Sequence, residues 1–317
     1  MKPMTVTDPP YTKFCDPNLT AQGEPRARVA FDGLKTLWVN TGTLCNIACA
    51  HCYIESSPTN DRFEYFTTAD FAPFLQEVAA LADGAIEIGF TGGEPFLNPQ
   101  IIELVELAVA RGHRVLILTN AMRPMMRPRV RDGLLALQAA YAGRIALRVS
   151  LDHFDAEQHD QERGAGSYAE TLLGVDWLSE AGFIISLAGR TLWGVDETQM
   201  RAGFSRLIAA RAWAIDANKP DELVLFPEMD EAIDVPEITD ACWGLLKVDP
   251  RAMMCASARM VAKRKGAAAP SVIACTLLPY EPQFELAARL TDSLAPVALN
   301  HRHCAKFCVL GGGTCSA

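Results

Sequence analysis

Apolar residues in this chain come in short runs separated by longer amphipathic stretches. The runs at 36–39, 86–90, 115–118, 145–149, 183–187 and 223–226 read as buried strands. Between them the spacing turns helical: Phe71, Phe74, Leu75 and Val78 share a face behind Thr67, a candidate N-cap. Asn98-Pro99 opens a second helix as cap and first-turn proline, and a third begins near Ser167 and ends at Gly182. Six rounds of strand and helix predict parallel βαβ units, hence an α/β fold built as a barrel or an open doubly wound sheet. From about Asp230 this rhythm stops and turn signals appear, at Lys263-Arg264-Lys265-Gly266 and Gly311-Gly312-Gly313. The chain thus divides into an N-terminal arm (1–33), a strand–helix domain (34–229) and a C-terminal module (230–317).

Composition narrows the class. With 317 residues, 50% of them hydrophobic, the chain can bury a large core. Its 29 Lys and Arg against 38 Asp and Glu give a net charge of -9, which argues against nucleic acid as a partner. The first thirty residues carry no signal-peptide run, and no stretch reaches roughly 18 uninterrupted apolar residues, so a cytoplasmic protein without a membrane span is expected. Ten cysteines in such a protein point to metal or catalysis before disulfides.

Three of them, Cys45, Cys49 and Cys52, sit at x3 and x2 spacing just after the first strand-like run. Three thiolates can hold three irons of a four-iron cubane and leave the fourth iron open to a small chelating molecule. The alternative is a structural zinc loop, although zinc favours paired x2 spacings and a fourth ligand nearby, which His51 is awkwardly placed to be.

In these residues the chain resembles the radical S-adenosylmethionine (SAM) superfamily, whose C-x3-C-x2-C loop follows the first strand of a partial (βα)6 barrel; the resemblance spans residues 34–226. Thr91-Gly92-Gly93-Glu94-Pro95 is similar to the family's GGEP element, which implies that Gly92, Gly93, Glu94 and Pro95 meet the SAM amino group. Leu118-Thr119-Asn120 resembles the family's Thr-Asn step, placing Asn120 at the barrel mouth. Ser150-Leu151-Asp152, His159-Asp160-Gln161-Glu162-Arg163-Gly164 and Gly166-Ser167-Tyr168 resemble the subgroup of sulfatase-maturating enzymes and peptide maturases. By that resemblance Ser150 and Arg163 meet the SAM carboxylate, Asp152 its ribose or the substrate, and His51 lies near the adenine. A salt bridge or helix cap is the other reading of Arg163.

The tail holds Cys255, Cys275, Cys304, Cys308 and Cys315, and resembles the auxiliary-cluster modules called Twitch and SPASM. A full SPASM module carries more cysteines, and Leu310 stands where another is expected, so the resemblance implies one auxiliary 4Fe-4S cluster. Cys255 and Cys275 head its ligand set, two more come from Cys304, Cys308 and Cys315, and Cys242 is an outsider; structural zinc is the alternative. His301 and His303 are expected beside the site or in solvent rather than as ligands.

The resemblance implies reductive cleavage of SAM to a 5'-deoxyadenosyl radical that takes hydrogen from a substrate, fed by an external flavodoxin- or ferredoxin-type donor. A small-molecule substrate is expected ahead of a partner-delivered short peptide, since about thirty-five residues precede the first strand, too few for a leader-binding domain. Arg190, Trp193 and Glu228 follow the fifth and sixth strands and are the candidate substrate contacts. Arg123, Arg127, Arg129 and Arg131 read as a solvated helix start. A non-catalytic iron-sulfur or zinc protein is the rival; it would need the cysteines but not the Gly-Gly-Glu-Pro, Ser150 and Arg163 in register.

Overall fold

The structure, a computed structural model, describes residues 12–227 and 233–313. These residues fall into two compact units: 33–227 with 258–293, and 12–32 with 233–257 and 294–313. The sequence divided the chain into 1–33, 34–229 and 230–317, whereas in the structure residues 258–293 group with the strand–helix unit and residues 12–32 with 233–257 and 294–313.

That first unit is built on nine strands, β1 (Thr36–Asn40), β2 (Glu87–Thr91), β3 (Arg114–Thr119), β4 (Ile145–Ser150), β5 (Ile184–Arg190), β6 (Leu223–Phe226), β7 (Ala258–Ala262), β8 (Ser271–Ile273) and β9 (Glu285–Ala287). Their order across the sheet is β9-β8-β7-β1-β2-β3-β4-β5-β6. Strands β1 to β6 pair in parallel with each next in sequence, and β7 adds in parallel beside β1. When sequential parallel strands are joined by right-handed crossovers, all the helices fall on one face. The sheet then curls as a partial (βα)6 barrel, and the doubly wound alternative is excluded.

The crossover helices are α1 (Thr68–Leu81), α2 (Ile101–Val109), α3 (Pro128–Ala140), α4 (Ala156–Arg163), α5 (Ser167–Glu180) and α6 (Glu197–Arg211). Helix α1 starts as expected, with Thr67 Oγ1 accepting from Asp70 N and the Asp70 carboxylate accepting from Thr67 N. Its buried face is Phe71, Phe74, Leu75 and Val78. Asn98 makes the capping contact expected of it, its Oδ1 accepting from Gln100 N at 2.8 Å, and its buried amide also donates to the carbonyls of Thr41 and Phe66, both at 2.9 Å, while the regular turns of α2 start at Ile101. Among the four arginines after β3, Arg123 and Arg129 form exposed ion pairs with Glu170 and Glu103, while Arg127 donates to the carbonyl of Pro124. Because β1 to β6 run parallel, their C-terminal ends share one rim of the barrel, where side chains of different strands can meet.

The second unit is tied by a short antiparallel pair, Arg28–Val29 with Val297–Ala298. Its buried Arg26 donates to the carbonyls of Asp16 (2.7 Å), Leu19 (2.7 Å) and Leu299 (3.2 Å) and pairs with Glu237. Burial alone would raise the Glu237 pKa. The N–H groups of Ala21 and Phe14 and the Arg26 guanidinium outweigh burial and hold it below the ordinary carboxylate value. A depressed folded-state pKa contributes stability above the unfolded value of about 4.3 and loses it as pH falls through the folded value. Glu237→Ala should therefore cost this unit about 3–5 kcal/mol at neutral pH. Amide exchange over residues 14–26 reports it; wild-type protection would contradict the assignment.

Among the described residues no helix is long and apolar enough to cross a membrane.

Candidate functional site

The three N-terminal cysteines lie in the loop that leaves the rim at the end of β1. Thr41 N donates to Thr91 O (2.8 Å), Thr43 N to Phe63 O (3.2 Å) and Cys45 N to Ser57 O (3.0 Å), so the loop is pinned along both arms. Cys45 is buried, and Cys49 and Cys52 are half-buried. Burial pushes the Cys45 thiol up to about 12, and the nearby charges of Glu94, Cys49 and Cys52 push the same way. Burial also raises Cys49, with Arg163 opposing and Cys52 adding to the rise. The three sulfurs thus share one electrostatic neighbourhood, in which Cys49 and Cys52 disfavour ionisation of Cys45, and Cys52 that of Cys49. A cationic centre bound among them would reverse that and displace the protons. Ser56 N donates to Cys52 Sγ at 3.3 Å, a contact that suits a thiolate. Among the described residues no three His, Cys, Asp or Glu side chains converge on the scale of a single metal ion; the fit to a multi-iron cluster rests on three soft donors sharing one locale.

The rim end of β2 is packed against this loop. Gly93 N donates to Gly42 O at 2.8 Å and Glu94 N to Leu44 O at 3.1 Å. A Cβ on Gly93 would stand 2.1 Å from Leu44 O, and one on Gly92, whose φ is +135°, would stand 2.5 Å from Gly42 O. The glycines are therefore required by the close approach of the cysteine loop itself. Glu94 is 2% exposed and its carboxylate accepts from Thr119 Oγ1 (2.8 Å), Asn120 N (2.9 Å) and Phe96 N (3.1 Å). Burial raises its pKa to about 7 against those donors. Glu94 thus braces β2 to β3, a duty beyond the ammonium contact expected of it, while Pro95 opens a buried 3-10 turn. Asn120 lies under Cys45, its Nδ2 2.9 Å from Asn46 Oδ1 and 3.9 Å from Cys45 Sγ. At the end of β1 the buried Nδ2 of Asn40 has no hydrogen-bond partner among the described residues, a donor placed beside Gly92 that suits an acceptor group of a bound molecule.

Across the rim, Asp152 and Arg163 are partners of each other. Arg163 Nε lies 2.7 Å from Asp152 Oδ2 and Nη2 3.1 Å from Oδ1, a two-pronged pair with both side chains at most one-tenth exposed. Arg190 stands 3.5 Å from Asp152 Oδ1 and 3.6 Å from Glu162 Oε1. Burial would raise the Asp152 carboxyl, but the two guanidiniums hold it below the usual range; Arg163 is held charged above its own. Burial lowers His159 to about 4, so it is neutral when its Nδ1 accepts from Asp152 N at 3.2 Å. Ser150 is half-buried at the rim end of β4.

Of the substrate candidates, Arg190 is buried in this ion network and Trp193 is half-buried with its ring edge-on to His153 at 4.9 Å. Glu228 lies outside the described residues. His51 keeps its ring 64% exposed while Glu162 holds its Nδ1 at 2.6 Å. Glu162 was missed by sequence reasoning, as an unspecified position inside the His-Asp-x-x-Arg-Gly run. Asn46 and Asn40, polar residues next to a cysteine and at a strand end, carried the only local signal available.

In the second unit, Cys304 is buried and Cys308 half-buried on a seven-residue π-helix, Cys304–Leu310. In a helix bonded i→i+5, four residues come close to a full turn, so the two thiols leave the same side. Burial raises Cys304 to about 12, with the Cys255 charge adding to the rise, which brings Cys255 into the same neighbourhood. His303 is lowered to about 4 by burial and by the charges of His301 and Arg302. Cys275 belongs to the first unit, where its sulfur accepts from Leu277 N at 3.4 Å. Cys315 lies outside the described residues.

Residues 39–198 match the family model described as the Radical SAM superfamily. The chain belongs to that superfamily. Among radical SAM proteins it is 30% identical over 190 residues to the antilisterial bacteriocin subtilosin biosynthesis protein AlbA of Bacillus subtilis (strain 168), covering 57% of this chain and 39% of the relative. It is 33% identical over 140 residues to the AdoMet-dependent heme synthase of Methanosarcina barkeri, covering 44% of this chain and 37% of the relative. The chain thus spans well under half the length of both. The radical SAM fold is also that of Streptococcus suis SuiB bound to its precursor peptide SuiA, which it matches with a TM-score of 0.58 at 14% identity over 84% of this chain and 64% of that one.

Proposed function

We propose that this chain is a radical SAM enzyme whose Cys45, Cys49 and Cys52 hold a 4Fe-4S cluster with one iron left for SAM. The observation that carries the reading is the three thiols sharing one neighbourhood inside a loop that Gly92 and Gly93 admit at backbone contact distance. Bound there, the cluster and SAM supply the one-electron chemistry that yields a hydrogen-abstracting 5'-deoxyadenosyl radical. The chain's own residues enclose and orient. The Gly92–Gly93 backbone, Asn120 and the Asn40 Nδ2, which has no partner among the described residues, offer polar contacts at the rim ends of β1, β2 and β3. Ser150 and the Asp152–Arg163 pair face the molecule from β4 and α4, with Arg163 carrying the positive charge that suits a carboxylate. His51 lies towards the adenine, and Arg190 and Trp193 border the substrate.

The second-unit thiols Cys255, Cys304 and Cys308 support an auxiliary 4Fe-4S cluster. An external flavodoxin- or ferredoxin-type protein supplies electrons, and nine free cysteines among the described residues suit a reducing, cytoplasmic setting. Two substrate classes stand. AlbA, named for a bacteriocin, and SuiB, seen with its precursor peptide, favour a peptide delivered by a partner. The heme synthase favours a small molecule.

With anaerobically reconstituted protein, dithionite and SAM, 5'-deoxyadenosine and methionine should accumulate, and Cys49→Ala should reduce them to background. Wild-type protein that neither binds SAM nor forms 5'-deoxyadenosine would overturn the proposal.

A further inference from the structure

Two of the three cysteines, Cys49 and Cys52, are joined by Ala50 and His51, and both of these linking residues are held by one side of one residue. Glu162, in the last turn of α4 and 4% exposed, accepts from Ala50 N through its main-chain oxygen (2.9 Å) and from His51 N through Oε1 (2.9 Å). Its Oε2 takes the His51 Nδ1 hydrogen at 2.6 Å. A carboxylate can only accept, so the imidazole carries its proton on Nδ1 in this contact. The His51 ring is largely exposed, so burying the ring is not what the contact achieves. What is buried is the carboxylate, and a buried carboxylate persists only where donors and an opposite charge surround it. Arg190 supplies the charge, and its guanidinium also stands 5.1 Å from the Tyr53 ring. Glu162 and Arg190 therefore bracket Cys52, one through His51 and the other through Tyr53.

Arg190 is in turn fixed by Asp152, from the side by its carboxylate and from the backbone by Arg190 N donating to Asp152 O at 3.0 Å. The ends of β4 and β5 and the end of α4 are thus connected, through buried charges, to the two residues between Cys49 and Cys52. A loop of four residues has few conformations once two successive amides are fixed, so the directions of the Cys49 and Cys52 side chains follow from this grip.

We infer that Glu162 is a positioning residue that sets the Cys49–Cys52 arc for cluster binding. The inference rests on the radical SAM reading for its purpose, while the grip itself can be measured without a cluster. In the full chain free of iron, Glu162→Ala should speed amide exchange over residues 49–53 at least tenfold. Glu162→Gln, which keeps an acceptor for His51 N, should restore most of the protection. In the anaerobically reconstituted chain the alanine variant should lose its cluster to a chelator about tenfold faster and show a broadened electron paramagnetic resonance signal after reduction, again recovered by glutamine. A role confined to stability would lower the melting temperature without changing the signal's shape, and that outcome overturns the inference, as does wild-type exchange in both variants. Faster exchange in Glu162→Ala together with a wild-type chain that takes up no cluster would sink the radical SAM reading while leaving the grip standing. If the alanine variant does not fold, Glu162→Leu, which keeps the bulk and removes the side-chain acceptor of His51 N, takes its place under the same expected and overturning results.

Discussion

Replacing Gly93 with alanine is expected to leave a folded barrel that holds almost no cluster at Cys45, Cys49 and Cys52. The added Cβ would lie 2.1 Å from Leu44 O, 2.5 Å from Leu44 C and 2.8 Å from Thr43 O. All three are backbone atoms, which cannot rotate aside as a side chain would. Either β2 or the cysteine loop must shift, and the hydrogen bonds Gly93 N to Gly42 O and Glu94 N to Leu44 O must lengthen with it. Overpacking of this kind costs about 1–3 kcal/mol or more, and the strain falls on the residue next to Cys45. Iron and acid-labile sulfide per chain should drop at least tenfold at this site, about 1.4 kcal/mol in binding terms. Circular dichroism should change little, because β2 keeps its ladder with β1 and β3. An alanine variant with wild-type iron content would show that the loop does not need the glycine.

The other large effect is expected from Asp152→Ala. Its carboxylate is the common partner of Arg163 and Arg190, and it is 2% exposed. Removing it leaves two guanidiniums at low exposure, Arg163 without its two-pronged partner and Arg190 with Glu162 at 3.6 Å. Breaking a buried ion pair from one side costs about 3–5 kcal/mol, because the remaining charge stays desolvated. In a unit of this size that corresponds to a melting temperature lower by about 10 °C. Arg163→Met should cost less, since Asp152 keeps Arg190 and the methionine fills the space. A melting temperature for Asp152→Ala within a degree of wild type would mean that the network is not the brace described.

Much of the barrel could be read before the structure, and for a physical reason. Strands buried on both faces are near-continuous apolar runs, so β1 to β6 each carried their own signal, with ends that lie within three residues of those observed. Thr67 and the apolar face behind it marked α1, and the spacing of Cys45, Cys49 and Cys52 survives in sequence because the loop that presents them is short. What was not legible depends on partners far along the chain. Ala258–Ala262 is an apolar run like the others, but nothing local says that it pairs in parallel with β1 some 220 residues earlier. The density of cysteines around it pointed instead to a separate module. Arg163 and Asp152 were both marked as candidates to meet a ligand, whereas their first duty in the structure is to each other. Glu94 was read as a ligand carboxylate, and its burial against Thr119 and Asn120 became visible only once β2 and β3 lay side by side. Glu162 gave no sign, because its contact with His51 spans 111 positions.

A four-iron cluster on Cys45, Cys49 and Cys52 would leave one iron for SAM, and its spectrum would report SAM binding. That is tested most directly by electron paramagnetic resonance of the dithionite-reduced, anaerobically reconstituted chain before and after SAM is added, with Cys255→Ala and Cys304→Ala introduced together to silence the second unit. A reduced 4Fe-4S signal whose shape changes when SAM binds is the expected result. A signal indifferent to SAM, or no iron-sulfur signal from this protein, would contradict it.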